Sequence, residues 1–353
     1  MSFSLIQPTH LPKAPVDWPD IQGITLDEFY MFDKDIRVEM SKSRDRCSQM
    51  VKIEDACRNL RKKLKDDSKY PHVFTVNISM HDRLDEEFKI PQLVREVSLF
   101  PKWYPDYKLS TYLRKNYKFF QAFQGRYQSC PTISYGGLVE WIYVTTGSIE
   151  MKLYRPTKTN LVRYYALEEG EDLRPEADTC LQFELKQGSL FSIPSGWISV
   201  RSTKNKSAFT YGGKILGLDD IPSQLEAFEN DVLHSNCQHM LDIDAEIRSL
   251  YWFSAINMVK AINNKSNKIP GDKIISILEC LRKYLVDWRS KQRKCHADRV
   301  ACLPPEVFAP DGIRIDTVLR DVGGLIRRRK SFQGEKDAVD VSVTQTSTDG
   351  NSN

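Results

Sequence analysis

From about residue 70 to 218 the apolar positions come in short runs broken by turn signals. They are "HVFTVNISM" (72–80), "EWIYVTTGSIEMKLYR" (140–155), "CLQFELKQGSLFSIPSGWISV" (180–200) and "SAFTYGGKIL" (207–216). Within several of them apolar and polar residues alternate, and Thr-Thr-Gly-Ser sits between two such runs, the pattern of a hairpin. Many short strands at this spacing predict a sandwich or barrel. From residue 221 the apolar period becomes helical in "SQLEAFENDVL", "AEIRSLYWFSAINMVKAIN" and "DKIISILECLRKYLVDWRSKQRK". The chain thus reads as four regions: a lead-in with a charged helix (1–69), a β-rich body (70–218), a helical subdomain (219–330) and a tail (331–353). The tail is rich in Ser, Thr, Asp, Gly and Asn without apolar periodicity, so disorder is expected there.

With 353 residues, 41% hydrophobic and 28% charged, the chain has enough apolar material for one large core or two smaller ones. No apolar run approaches the roughly 20 residues that span a bilayer, and the N-terminus lacks the pattern of a secretion signal. The expected compartment is cytoplasm or nucleus, and no membrane partner is expected. The eight cysteines are scattered without a C-x-x-C pair, which argues against a zinc finger or a disulfide framework. A net charge of +4 falls short of a dedicated nucleic-acid-binding domain, although Glu335, Asp337, Asp340 and Asp349 in the tail leave the body more basic than the whole. The basic stretches "RNLRKKLK" (58–65) and "RRRKS" (327–331) fit solvated helix surfaces better than a phosphate site or an import signal, so direct DNA binding is expected to be weak or absent. Neither His234 and His239, five apart, nor the adjacent pairs His81-Asp82 and Cys295-His296 have the spacing of a metal helix. His10 and His72 stand alone.

Within the β-rich body, "KQGSLFSIPSGWISV" (186–200) resembles a strand pair of the JmjC proteins, a branch of the cupin jelly rolls. There a Gly turn leads to Phe-x-Ile-Pro-x-Gly-Trp-x-His, whose histidine binds iron. "IPQLVREVSLFPKWYP" (90–105) and "RPTKTNL" (155–161) are similar to other segments of that family, in the same order. The resemblance covers roughly 70–329 and is nearest to the F-box and PHD-finger group of histone lysine demethylases. It implies a double-stranded β-helix, the cupin jelly roll, with a C-terminal helical subdomain.

Carried over residue by residue, the resemblance implies a changed site. The family's His-x-Asp-Phe-Gly-Gly is matched by Thr132-Ile133-Ser134-Tyr135-Gly136-Gly137, and its distal histidine by Ser199. Hydroxyls at Thr132, Ser134 and Ser199 are poor ligands for iron(II) beside imidazole and carboxylate. On the cosubstrate side, a lysine that pairs with 2-oxoglutarate is matched by Ile149 and an assisting tyrosine by Ile142. Ser129 keeps the hydroxyl of a contacting threonine, and Lys214 replaces an asparagine. Lys214 either supplies charge where the metal is missing or reaches solvent from a strand end. The expectation is a pseudoenzyme without metal or cofactor: a nuclear, chromatin-associated module that binds chromatin proteins or a histone tail. Two alternatives stand beside it. One is an active demethylase using iron(II) and 2-oxoglutarate; the other is a cupin that binds a small molecule.

Overall fold

A computed structural model describes residues 9–10, 24–45, 47–61, 71–99, 111–168, 170–234, 240–263, 271–294, 316–328 and 331. The expected tail beyond Ser331, together with His239 and His296, lies outside the described residues. The chain divides into two compact units, Met1–Asn236 and Cys237–Asn353.

In the first unit the described strands are β1 (Thr9–His10), β2 (Arg37–Lys42), β3 (Ser48–Lys52), β4 (His72–Asn77), β5 (Phe119–Phe123), β6 (Val139–Thr146), β7 (Ser148–Tyr154), β8 (Cys180–Lys186), β9 (Leu190–Ile193), β10 (Ile198–Ser202) and β11 (Ala208–Ile215). Its helices are α1 (Leu26–Phe32), α2 (Ile53–Arg61), α3 (Asp82–Glu87), α4 (Gln92–Val97), α5 (Thr111–Tyr117), α6 (Lys158–Tyr165) and α7 (Ile221–His234). One sheet runs β1-β9-β6-β11-β5-β4-β2-β3 and the other β10-β7-β8, every pairing antiparallel. This is the double-sheet jelly roll that the resemblance implies.

Period-2 alternation assigns each strand residue to a face. On β6, Ile142 and Val144 join the cluster that both sheets build, with Ile149, Met151 and Leu153 of β7, Leu185 of β8 and Phe191 of β9. Trp141 and Tyr143 face the other way, into a second cluster on the outer side of the large sheet with Phe29, Ile53, Phe120 and Tyr211. Both faces of β6 are covered, which is why its sequence reads as a continuous apolar run. The β6–β7 hairpin turns on Gly147 at φ 78°, where an added Cβ would stand 2.8 Å from the Ser207 carbonyl oxygen.

Two stretches do more in the fold than their sequence implied. Within the lead-in, β2 and β3 extend the large sheet, and Leu26, Phe29, Ala56 and Cys57 of α1 and α2 pack into its outer cluster. β2 alternates Arg37 and Glu39 with Val38 and Met40, and β3 is a sheet edge, largely exposed. Helix α7 belongs to the first unit, since its buried face of Ile221, Gln224, Leu225, Phe228 and Asp231 is turned to the jelly roll.

The second unit contains α8 (Met240–Asn263), α9 (Gly271–Lys294) and a helix over 316–328. Trp288 is fully buried there, with the Arg248 guanidinium 5.7 Å from its ring centre, and Arg289 pairs with Asp316 at 2.5 Å. Trp141, Trp197, Tyr211, Trp252 and Trp288 are all buried, as core aromatics should be. Among the described residues no helix is long and apolar enough to cross a membrane.

Candidate functional site

Thr132 and Ser199 face each other across an isolated antiparallel bridge. The Thr132 N–H donates to the Ser199 carbonyl at 2.9 Å, the Ser199 N–H donates to the Thr132 carbonyl at 2.8 Å, and the two hydroxyl oxygens stand 3.4 Å apart. The backbone therefore brings together the first and last of the three positions read from the sequence. Ser134 lies two residues on, entering the turn Tyr135–Gly137, and its hydroxyl is buried without a hydrogen-bond partner. Among the described residues no three of His, Cys, Asp and Glu gather as a metal site would require.

Apolar side chains pack between the sheets. Ile142 and Ile149, where the resemblance puts cosubstrate contacts, are 1% and 0% exposed and pack in one apolar cluster with Met151, Phe191 and Trp197. Ser129 supports β10, its hydroxyl accepting the Arg201 N–H at 3.0 Å.

At one end of this interior stands a charged group that sequence reasoning missed. Arg201, two residues beyond Ser199, reaches from the small sheet to the large one. Its guanidinium donates to Glu140 of β6 at 2.6 Å and to the Gln121 amide oxygen of β5 at 3.0 Å. Both partners of the ion pair are almost fully buried, with side chains 11% and 9% exposed. Lys214 of β11 lies in register with Glu140 and is half-buried. Burial holds its ammonium below the usual lysine range, and the Glu140 carboxylate pulls in the opposite direction. The signal for the group was present in "VEWIYV" and "ISVRS", where a single charge interrupts an otherwise apolar strand.

The Gly-Gly step has a packing reason of its own. Gly136 and Gly137 have φ 77° and 68°, and an added Cβ on Gly137 would lie 2.2 Å from the Gln224 carbonyl oxygen of α7. The same helix ties the step down through Asp231, 6% exposed, whose carboxylate accepts the Gly136 N–H at 3.2 Å and the Tyr165 hydroxyl at 2.8 Å. Burial pushes the Tyr165 hydroxyl well above its ordinary value, with the Asp231 charge adding to the rise. His234 stacks on the Tyr165 ring at 4.1 Å. A carboxylate thus reaches the Gly136-Gly137 turn, where it serves as an anchor between α6, α7 and the turn.

No family model matches the chain. A stretch of 102 residues is 36% identical to lysine-specific demethylase 2B of Mus musculus, covering 28% of this chain and 8% of that protein. Over 261 residues the chain is 21% identical to lysine-specific demethylase 7A of Homo sapiens, covering 72% of this chain and 26% of that one. Over 296 residues it is 22% identical to lysine-specific demethylase phf2 of Danio rerio, covering 78% and 26%. The chain thus spans only about a quarter of the length of the two longer matches. Among solved structures, the ribosomal oxygenase YcfD of Escherichia coli matches 60% of this chain and 48% of that one at 13% identity, with a TM-score of 0.37.

Proposed function

We propose that this is a JmjC-domain protein that has kept the jelly roll while losing iron(II) and 2-oxoglutarate chemistry, acting in the nucleus as a chromatin-associated binding or regulatory module. The observation that carries the reading is the pairing of Thr132 with Ser199, two neutral hydroxyls 3.4 Å apart where the resemblance puts two ligands of one metal. With Ser134 they form a donor set that does not fit iron(II). At about 3 kcal/mol per ligand, scaled from structural zinc sites, replacing three costs about 9 kcal/mol, more than a million-fold in affinity. The apolar packing between the sheets supports the same reading. A cosubstrate carboxylate would meet Ile149, 0% exposed among apolar neighbours, and an unpaired charge there costs several kcal/mol.

Calorimetric titration of the full chain with iron(II) under anaerobic conditions, with manganese(II), and with 2-oxoglutarate tests the chemical part. No binding is expected below millimolar concentration, and a micromolar Kd for any of them would overturn the reading. For the cellular part, the tagged full chain should fractionate with nuclear chromatin; a wholly cytosolic distribution would remove that assignment. A second reading, a jelly roll that holds a small anion, draws on Arg201 and Lys214 sharing their end of the interior with Glu140. It would be favoured if 2-oxoglutarate bound without any metal.

A further inference from the structure

Outside the barrel, on the far side of the loop 132–137, α6, α7 and the loop before β10 enclose a cleft of about 110 Å³. Ile133, Leu161 and Ala227 supply apolar walls, while Ser195, Asn230 and Glu226 supply polar groups. Ser223, Glu226, Ala227 and Asn230 recur at helical spacing, so one stripe of α7 forms a side of the cleft. Gly196 at φ 74° keeps the opposite side open, since an added Cβ there would already touch Ala227 at 3.5 Å.

We propose that this cleft binds a primary alkylammonium, as a free amine or as the head of a lysine side chain. Three observations point to that chemistry. The lining carries one charged group, the Glu226 carboxylate, and neither lysine nor arginine. Ser195 is 8% exposed and its hydroxyl oxygen is buried without a hydrogen-bond partner, which an N–H donor entering the cleft would supply. The volume equals about three or four waters, room for a short methylene stem between apolar walls with its charged head toward Glu226. The proposal does not depend on whether the barrel is catalytic, because the side chains that line the cleft are not those of the ligand positions.

The test follows the methyl resonances of Ile133 and Leu161 in the full chain during titration with n-butylammonium, with n-butanol and n-butyrate as neutral and anionic comparators. Saturable millimolar binding of the amine at these methyls is expected, with weaker binding of the alcohol and none of the acid. Glu226→Gln should weaken the amine about threefold, the size of a partly exposed ion pair. Ser195→Val should weaken the amine further and butanol to a smaller extent, and both variants are checked by thermal unfolding. A third variant, Ala227→Leu, fills the cleft and should abolish the shifts. N-acetyl-lysine methylamide separates the sources: binding as tight as butylammonium assigns a side chain, and markedly weaker binding assigns a free amine. Butanol or butyrate binding as tightly as the amine, or an unchanged affinity in Glu226→Gln, would overturn the proposal. So would shifts that never saturate at Ile133 and Leu161.

Discussion

Removing one half of the Arg201–Glu140 pair should cost far more than removing both. The pair is 2.6 Å apart with both side chains about nine-tenths buried, so each charge has given up its water for the other. Breaking such a pair leaves an uncompensated buried charge and costs about 3–5 kcal/mol, whereas replacing both partners by apolar residues of similar volume is near neutral. The two single variants should also differ. Arg201→Met leaves Glu140 with Lys214 in register beside it, so the ammonium can turn toward the carboxylate and soften the loss. Glu140→Leu leaves the buried Arg201 guanidinium without its carboxylate and beside the Lys214 ammonium, with the Gln121 amide oxygen still at 3.0 Å. The expected order of stability is therefore wild type and the double variant together, then Arg201→Met, then Glu140→Leu. In urea, with a slope of about 3 kcal/mol per molar, the worst single variant should shift the unfolding midpoint by about 1–1.7 M. Tryptophan fluorescence reads it, because Trp141 and Trp197 line the two clusters of this unit. If the double variant loses as much as the sum of the singles, the two residues are not coupled and the account of a cross-sheet ion pair is wrong.

Three further outcomes follow from the same geometry. Gly137→Ala should cost at least about 3 kcal/mol in thermal unfolding, since its φ of 68° and the Gln224 carbonyl 2.2 Å from the new Cβ both oppose it; a melting point within a degree or two of wild type would dissociate the Gly-Gly step from α7. His72 and His81 are held below the ordinary histidine value of 6.5, chiefly by burial. Their neutral forms favour the fold, so stability present above about pH 6.5 should fall as pH drops through the depressed values. His72→Gln should flatten part of that decline, and an unchanged slope of stability against pH would refute it. Restoring Thr132→His, Ser134→Asp and Ser199→His should recover partial manganese(II) binding in calorimetry, because the bridge already holds the first and last positions together; complete silence would mean that the backbone no longer presents them to a common point.

Where the sequence was legible, the signal was local. The β6–β7 hairpin follows from two alternating runs around Gly147, and the facing of Thr132 and Ser199 follows from motifs whose register could be counted. What escaped depended on partners far apart in the chain. Glu140 and Arg201 are 61 residues apart, so neither run alone says that the two charges meet. The lead-in was misleading for a related reason: β3 ends the large sheet at an exposed edge, and polar residues fill much of it and of β2 beside it. Helix α7 has the apolar period of any surface helix, and its packing shows only in contacts distant in sequence, such as the close approach of Gly137 to Gln224 and the Asp231 carboxylate on Gly136.

These long-range contacts change what adding back a cosubstrate residue should do. With only the sequence in view, Ile149→Lys restores a counter-ion for 2-oxoglutarate. In the folded protein Ile149 is 0% exposed, opposite Leu185 in register and clustered with Met151, Leu153 and Phe191. The Glu140 carboxylate, near the far end of β6, is already taken by the Arg201 pair, and the described neighbours of Ile149 in its cluster are apolar. Burying an ammonium there unpaired costs several kcal/mol, or else drives the lysine to its neutral form, which cannot pair with a carboxylate as a cation. Ile149→Lys added to the three ligand substitutions should therefore lower the urea midpoint by about 1 M or more and bring no gain in 2-oxoglutarate affinity. Ile149→Met, matched in volume, should leave stability nearly unchanged. If instead the four-substitution variant is as stable as its parent and binds 2-oxoglutarate tightly, the apolar filling between the sheets yields readily to a charged guest. The proposed loss of chemistry would then rest on the ligand positions alone.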